Sequence, residues 1–153
     1  MNRFAYTAVL LALASTAFAE DKAAEPIRKI LTAQSDAWNK GDLDGFLETY
    51  WKSEDLVFFS GGTISKGHKA VADRYAKRYK AEGKEMGKLE FIGLEVEMLG
   101  KDTAFARGKW KLEMKAEKPE GLFTLILKKT SDGWKIVHDH TSVPEPKKEP
   151  EKK

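Results

Sequence analysis

The 153-residue chain has no cysteine. Disulfides, thiol chemistry and lipid attachment through a cysteine are therefore excluded. It also lacks a strong charge of one sign. Its 27 lysines and arginines stand against 24 acids, leaving +3, and the two signs alternate along the chain instead of clustering. Such a balance carries no nucleic-acid footprint. Proline is scarce as well: of five, three fall in residues 144–153, PEPKKEPEKK, which hold nothing apolar. That stretch cannot bury enough surface to offset its chain entropy and reads as a disordered tail. No apolar run reaches the roughly 20 residues of a membrane span.

The one apolar run, Phe4 to Phe18, follows Met1-Asn2-Arg3 and ends at Ala17-Phe18-Ala19 before Glu20. A basic start, a short apolar run and a small-x-small ending make a secretory signal, with cleavage expected after Ala19. The expectation is an exported protein, periplasmic or secreted, with no membrane span once the signal is removed. The mature chain would hold 134 residues carrying +2, because Arg3 is the only charge lost. Its organisation reads as a signal over 1–19, one domain over 20–143 and the tail over 144–153.

Within the domain the hydrophobic period changes once. Ile27, Ile30, Leu31, Gln34, Ala37 and Trp38 recur at helical spacing, with Pro26 placed for a first turn and Gly41 as a stop. Asp42 caps a second, short helix bearing Leu43, Phe46, Leu47 and Tyr50. A short β run, Leu56–Phe59, turns at Ser60–Thr63. A third helix then runs from His68 to about Glu82, with Val71, Ala72, Tyr75 and Tyr79 on its inner stripe. Beyond Gly87 the period is two. A parity switch at Gly93 marks a β-bulge. Ala104 to Met114 alternate with charged residues, and Leu122–Leu127 is apolar on both faces, as in a central strand. Turns at 100–102, 119–121 and 131–133 separate four long strands. Helices first and an antiparallel sheet afterwards give an α+β domain.

The ending Gly133-Trp134-Lys135-Ile136-Val137-His138-Asp139-His140-Thr141-Ser142 resembles the closing strand of SnoaL-like domains of the nuclear-transport-factor-2-like superfamily. Trp38-Asn39-Lys40-Gly41-Asp42-Leu43 and Gly67-His68-Lys69-Ala70-Val71 agree with it. The likeness covers about residues 25–143. It implies a cone-like, strongly curved antiparallel sheet packed on three N-terminal helices around one pocket. It is not specific for an activity, because this fold hosts enzymes, binding proteins and oligomerisation modules. The ketosteroid isomerases of the superfamily would place Phe59 at their base, Leu125 near their protonated acid and Gln34 at their principal tyrosine, so their three central groups are unmatched. Tyr50 and Tyr75 match two further cavity tyrosines. The calcium/calmodulin-dependent kinase association domain, also similar, carries cavity arginines where this chain has Trp110, Leu125 and Thr141. An anionic ligand is therefore not implied.

The same resemblance turns Val137, Asp139 and Thr141 toward the cavity, with Gln34, Trp38, Tyr50, Phe59, Tyr75, Trp110 and Leu125 as the other wall positions. Asp139 is the candidate general base; its structural alternative is an ion pair with Arg107 or a lysine. In a regular strand His138 and His140 face away from Asp139, so a His-Asp-His metal cluster is not expected, and no cofactor is implied. Three readings stay open. One is a binding protein for a small, partly hydrophobic ligand. Another is an isomerase, cyclase or dehydratase using Asp139. The third is a homodimer formed through a Trp134/Ile136/His138/His140 sheet face.

Overall fold

A computed structural model describes residues 5–144, with side chains described over 22–144 apart from Ala81. Residues 1–4 and the side chains of the rest of the expected leader, and the expected tail beyond Pro144, lie outside what is described. Among the described residues no helix is long and apolar enough to cross a membrane.

Helix α1 (Ala5–Asn39) buries Ala24, Ile27, Leu31, Gln34 and Trp38 along one stripe at spacings of three and four. It runs continuously through Pro26, so this proline is internal to the helix and not at its first turn. Its ring is exposed and costs one backbone hydrogen bond. At the other end the Gly41 N–H donates to the Trp38 carbonyl and the Asp42 N–H to that of Ala37, a Schellman closure. Asp42 then accepts the Gly45 N–H at 2.8 Å and opens α2 (Leu43–Leu47), whose Leu43, Phe46 and Leu47 are buried.

Strands β1 (Val57–Ser60) and β2 (Thr63–Lys66) form a hairpin. The sequence reading contains β1 and the turn but not β2. Thr63–Lys66 carries one large apolar residue, Ile64, which is 65% exposed, so backbone pairing holds this strand and no hydrophobic alternation marks it. Helix α3 (His68–Ala76) continues into a π-helical turn, Lys77–Ala81, before the four long strands β3 (Lys88–Gly100), β4 (Thr103–Glu113), β5 (Glu120–Thr130) and β6 (Gly133–Ser142). The sheet order is β2-β1-β6-β5-β4-β3. All neighbours are antiparallel except β1 against β6, which is parallel. Strand β5 is an interior strand, as its two apolar faces require.

Two bulges shape this sheet. In β3 the register slips between Ile92 and Glu95, where Gly93 has a φ of 62°, a left-handed conformation that glycine adopts without strain. In β6 the slip is opposite Ile126 and Leu127, which pair with His138 and Ile136 and leave Val137 over. That extra residue reverses the parity of the strand. Ile136 is fully buried in the core and Trp134 packs against it. His138 and His140 instead meet the edge of Phe59, at 5.1 and 5.8 Å between ring centres. The expected single face of Trp134, Ile136, His138 and His140 therefore does not exist: the bulge splits it in two.

Candidate functional site

The sheet and helices leave a cavity of about 360 Å³ between them. Its wall includes Gln34 and Trp38 from α1, Phe46 from α2, Tyr50 just beyond it, and Tyr75 and Tyr79 from α3 and its π-helical extension. The sheet contributes Phe58, Trp110, Phe123, Leu125, Asp139 and Thr141. The aromatic part is one connected cluster. Trp38 lies 4.9 Å from both Phe46 and Tyr79, and Phe46 lies 5.2 Å from Tyr75. These edge-on and tilted contacts hold the rings rigidly around the opening.

Of the ten expected pocket residues, eight meet at this cavity: Gln34, Trp38, Tyr50, Tyr75, Trp110, Leu125, Asp139 and Thr141. Phe59 and Val137 do not. Phe59 sits on the opposite face of β1 against the two histidines, and its neighbour Phe58, paired in register with Asp139, takes the cavity side. Val137 is buried but is the bulged residue, displaced from the face that Asp139 and Thr141 share. Arg107 does not pair with Asp139. It donates to Glu95 at 2.8 Å, and both side chains are exposed. Two wall residues absent from the sequence reading are cationic, Arg74 and Arg78. Their signal was present as the repeat Arg74-Tyr75 and Arg78-Tyr79, one helical turn apart.

Backbone pairing fixes the polar centre. The Trp51 N–H donates to the Ile136 carbonyl and the Ile136 N–H to the Thr49 carbonyl, each at 2.9 Å, so residues 49–51 are clamped to β6. From there the Tyr50 hydroxyl donates to Asp139 Oδ2 at 2.6 Å. The residue Asp139 is 4% exposed, and its Oδ1 has no hydrogen-bond partner among the described residues. Burial pushes the carboxyl up to about 7, outweighing the Tyr50 hydrogen bond, which pulls the other way. Burial, then the nearby Asp139 charge, raises both Tyr50 and Tyr75 above the ordinary phenol range. Gln34 is satisfied separately: its Nε2 donates to Thr49 Oγ1 at 2.7 Å. No group of three histidine, aspartate or glutamate side chains among the described residues could hold a metal ion.

Helices gathered on one side of a bent sheet, with a pocket between them, define a nuclear-transport-factor-2-like protein. Residues 27–146 match the SnoaL-like domain family, and the chain belongs to it. A nuclear-transport-factor-2-like protein of unknown function from Shewanella oneidensis is 35% identical, with a TM-score of 0.72 over 77% of this chain and 97% of that one. A second, from Pseudomonas putida, is 21% identical with a TM-score of 0.69, covering 83% and 90%. A superfamily member from Salmonella enterica is 17% identical with a TM-score of 0.68, covering 87% and 99%. The last two likenesses concern the fold alone. No curated protein matches the chain.

The raised Asp139 carboxyl has a consequence for stability. An unfolded aspartate ionises near 3.8, the folded one near 7. Between those values the unfolded chain has lost the proton that the folded chain keeps, so stability falls as pH rises through this window and levels off above it. A shift of this size corresponds to about 4 kcal/mol. Urea denaturation from pH 4 to pH 8 is expected to show that loss in the wild type relative to Asp139→Asn. A constant difference between the two proteins would mean that the carboxyl titrates normally.

Proposed function

We propose that this chain is an exported SnoaL-like domain that encloses a small, largely apolar ligand and reads its polar end at Asp139 and Tyr50. One observation carries the reading: an aromatic cavity has, on its wall, a single carboxyl whose second oxygen is buried without a partner. A buried acceptor left unpaired costs about 1–3 kcal/mol, and a ligand hydroxyl or amide donor placed there would recover it. Export is supported by the pattern of residues 1–19.

The second reading is proton transfer by Asp139 in an isomerase, cyclase or dehydratase type of reaction. A carboxyl poised near neutrality on the cavity wall, with one oxygen unpaired among the described residues, suits a general base. Tyr50 would orient it. Incubating the protein with simple ketones in deuterium oxide tests this reading. Asp139→Asn is expected to slow exchange next to the carbonyl by about 10²–10⁴. Equal rates in the two proteins would leave binding alone.

A homodimer is proposed through the outer sheet face. Ile64, paired with Phe59, is 65% exposed there, and Leu122, paired with Ser142, is 60% exposed. Apolar side chains so exposed on one sheet face suit a second copy.

Native mass spectrometry of the protein taken from its host reads all three features at once. The expected species is a dimer of chains beginning at Glu20, each retaining one small organic molecule. Leu125→Trp, which puts an indole into the cavity opposite Asp139, is expected to lose that molecule and keep the dimer. A ligand-free wild type, or a ligand unaffected by Leu125→Trp, would rule out the pocket as its site.

A further inference from the structure

Arg74 and Arg78 are one turn apart on α3 and its π-helical extension, and both line the cavity. Arg74 is half-buried and Arg78 exposed, and with exposed Gly61 and Val143 they mark the mouth. Neither guanidinium has a carboxylate ion pair among the described residues. Arg74 lies 5.4 Å over the Phe58 ring and makes one long hydrogen bond, 3.5 Å, to the Ser60 carbonyl. Arg78 lies 5.7 Å over the Tyr79 ring. Glu117, whose carboxyl feels the Arg78 charge, is instead in an ion pair with Lys84 at 2.7 Å. Most other cations near this part of the chain do have acids: Lys69 bonds Asp73 and Lys80 bonds Asp44. Trp110, also on the cavity wall, has its indole N–H buried without an acceptor among the described residues. Gly121, opposite Trp110, is closely packed: a Cβ there would run into the Ser142 carbonyl and stand 2.9 Å from the indole Nε1.

Ring-stacked guanidinium groups are held in place yet keep their N–H donors open. Two of them at the rim of an apolar cavity suit a carboxylate, which accepts paired hydrogen bonds in the geometry a guanidinium offers. We infer that the ligand is a small amphipathic carboxylic acid, its anionic group held by Arg74 and Arg78 at the mouth and its largely apolar body in the aromatic cavity, where its other polar group meets Asp139 and Tyr50. This rests on the pocket reading above and names the class of ligand. The sheet positions Trp110, Leu125 and Thr141 carry no charge, which is why an anion was not implied by sequence. The charge enters from the helix side.

Binding of 2-naphthoate and of its neutral isostere 2-naphthamide, followed by quenching of tryptophan fluorescence at neutral pH, tests the inference. The acid is expected to bind about tenfold more tightly than the amide. In R74Q/R78Q the ratio is expected to fall to about one, while amide affinity stays within about twofold. R78Q alone, at an exposed position, is expected to give an intermediate ratio. Equal affinity for the two probes in the wild type would overturn the carboxylate and leave the pocket standing. A ratio that persists in both variants would overturn the role of the arginines. Failure of both probes to bind would remove the pocket reading along with it.

Discussion

The buried hydrogen bond from Tyr50 to Asp139 is the interaction on which the rest of the site depends. Taking a carboxyl out of water is costly, and one neutral donor offsets only part of that cost. The remainder appears as a raised affinity for protons and as an oxygen left without a partner. Neither would arise if Asp139 faced solvent or an arginine. The geometry that prevents both is set by backbone bonds on either side of Tyr50, which tie residues 49 and 51 to Ile136. It is set also by the bulge at Val137, which turns Asp139 inward while Ile136 stays in the core.

The cavity follows from the same construction. A flat sheet laid on α1 would bring side chains together and close the interior. The bulge in β3 bends the sheet, and the clamp at Tyr50 fixes where the chain leaving α2 meets β6. Between them lies a space whose sides are aromatic rings in edge contact. Such rings pack well against one another and cannot collapse easily into the gap. The polar features then divide by position. The carboxyl and the tyrosine hydroxyls are buried, and the two guanidinium groups stand at the mouth.

Much of this was legible in the sequence because hydrophobic periodicity reports burial directly. The α1 stripe, the alternation along β4, the turns at 100–102 and 131–133 and the bulge at Gly93 are all local features. What was not legible depends on contacts far apart in the chain. The short strand β2 has no buried face to mark it. The adjacent pair Phe58 and Phe59 is symmetric in sequence, and only the pairing of β1 with β6 decides which ring enters the cavity. The β6 bulge carries no glycine, unlike that in β3, so parity there read as regular and put Ile136 on the histidine face. Arg74 and Arg78 resembled other surface cations until their missing carboxylate partners could be seen. Asp139 was found through likeness to the closing strand of the superfamily, since composition and spacing alone do not distinguish it from the other acids.

The most direct test of this account is the titration of Asp139 itself, read from the carbon-13 shift of its carboxyl in selectively labelled protein. The midpoint is predicted near 7. It should rise further in Tyr50→Phe, where the one hydrogen bond that favours the ionised form among the described residues is gone. A midpoint near 4, unchanged by Tyr50→Phe, would mean a solvated carboxylate and would contradict the buried pair on which the site is built.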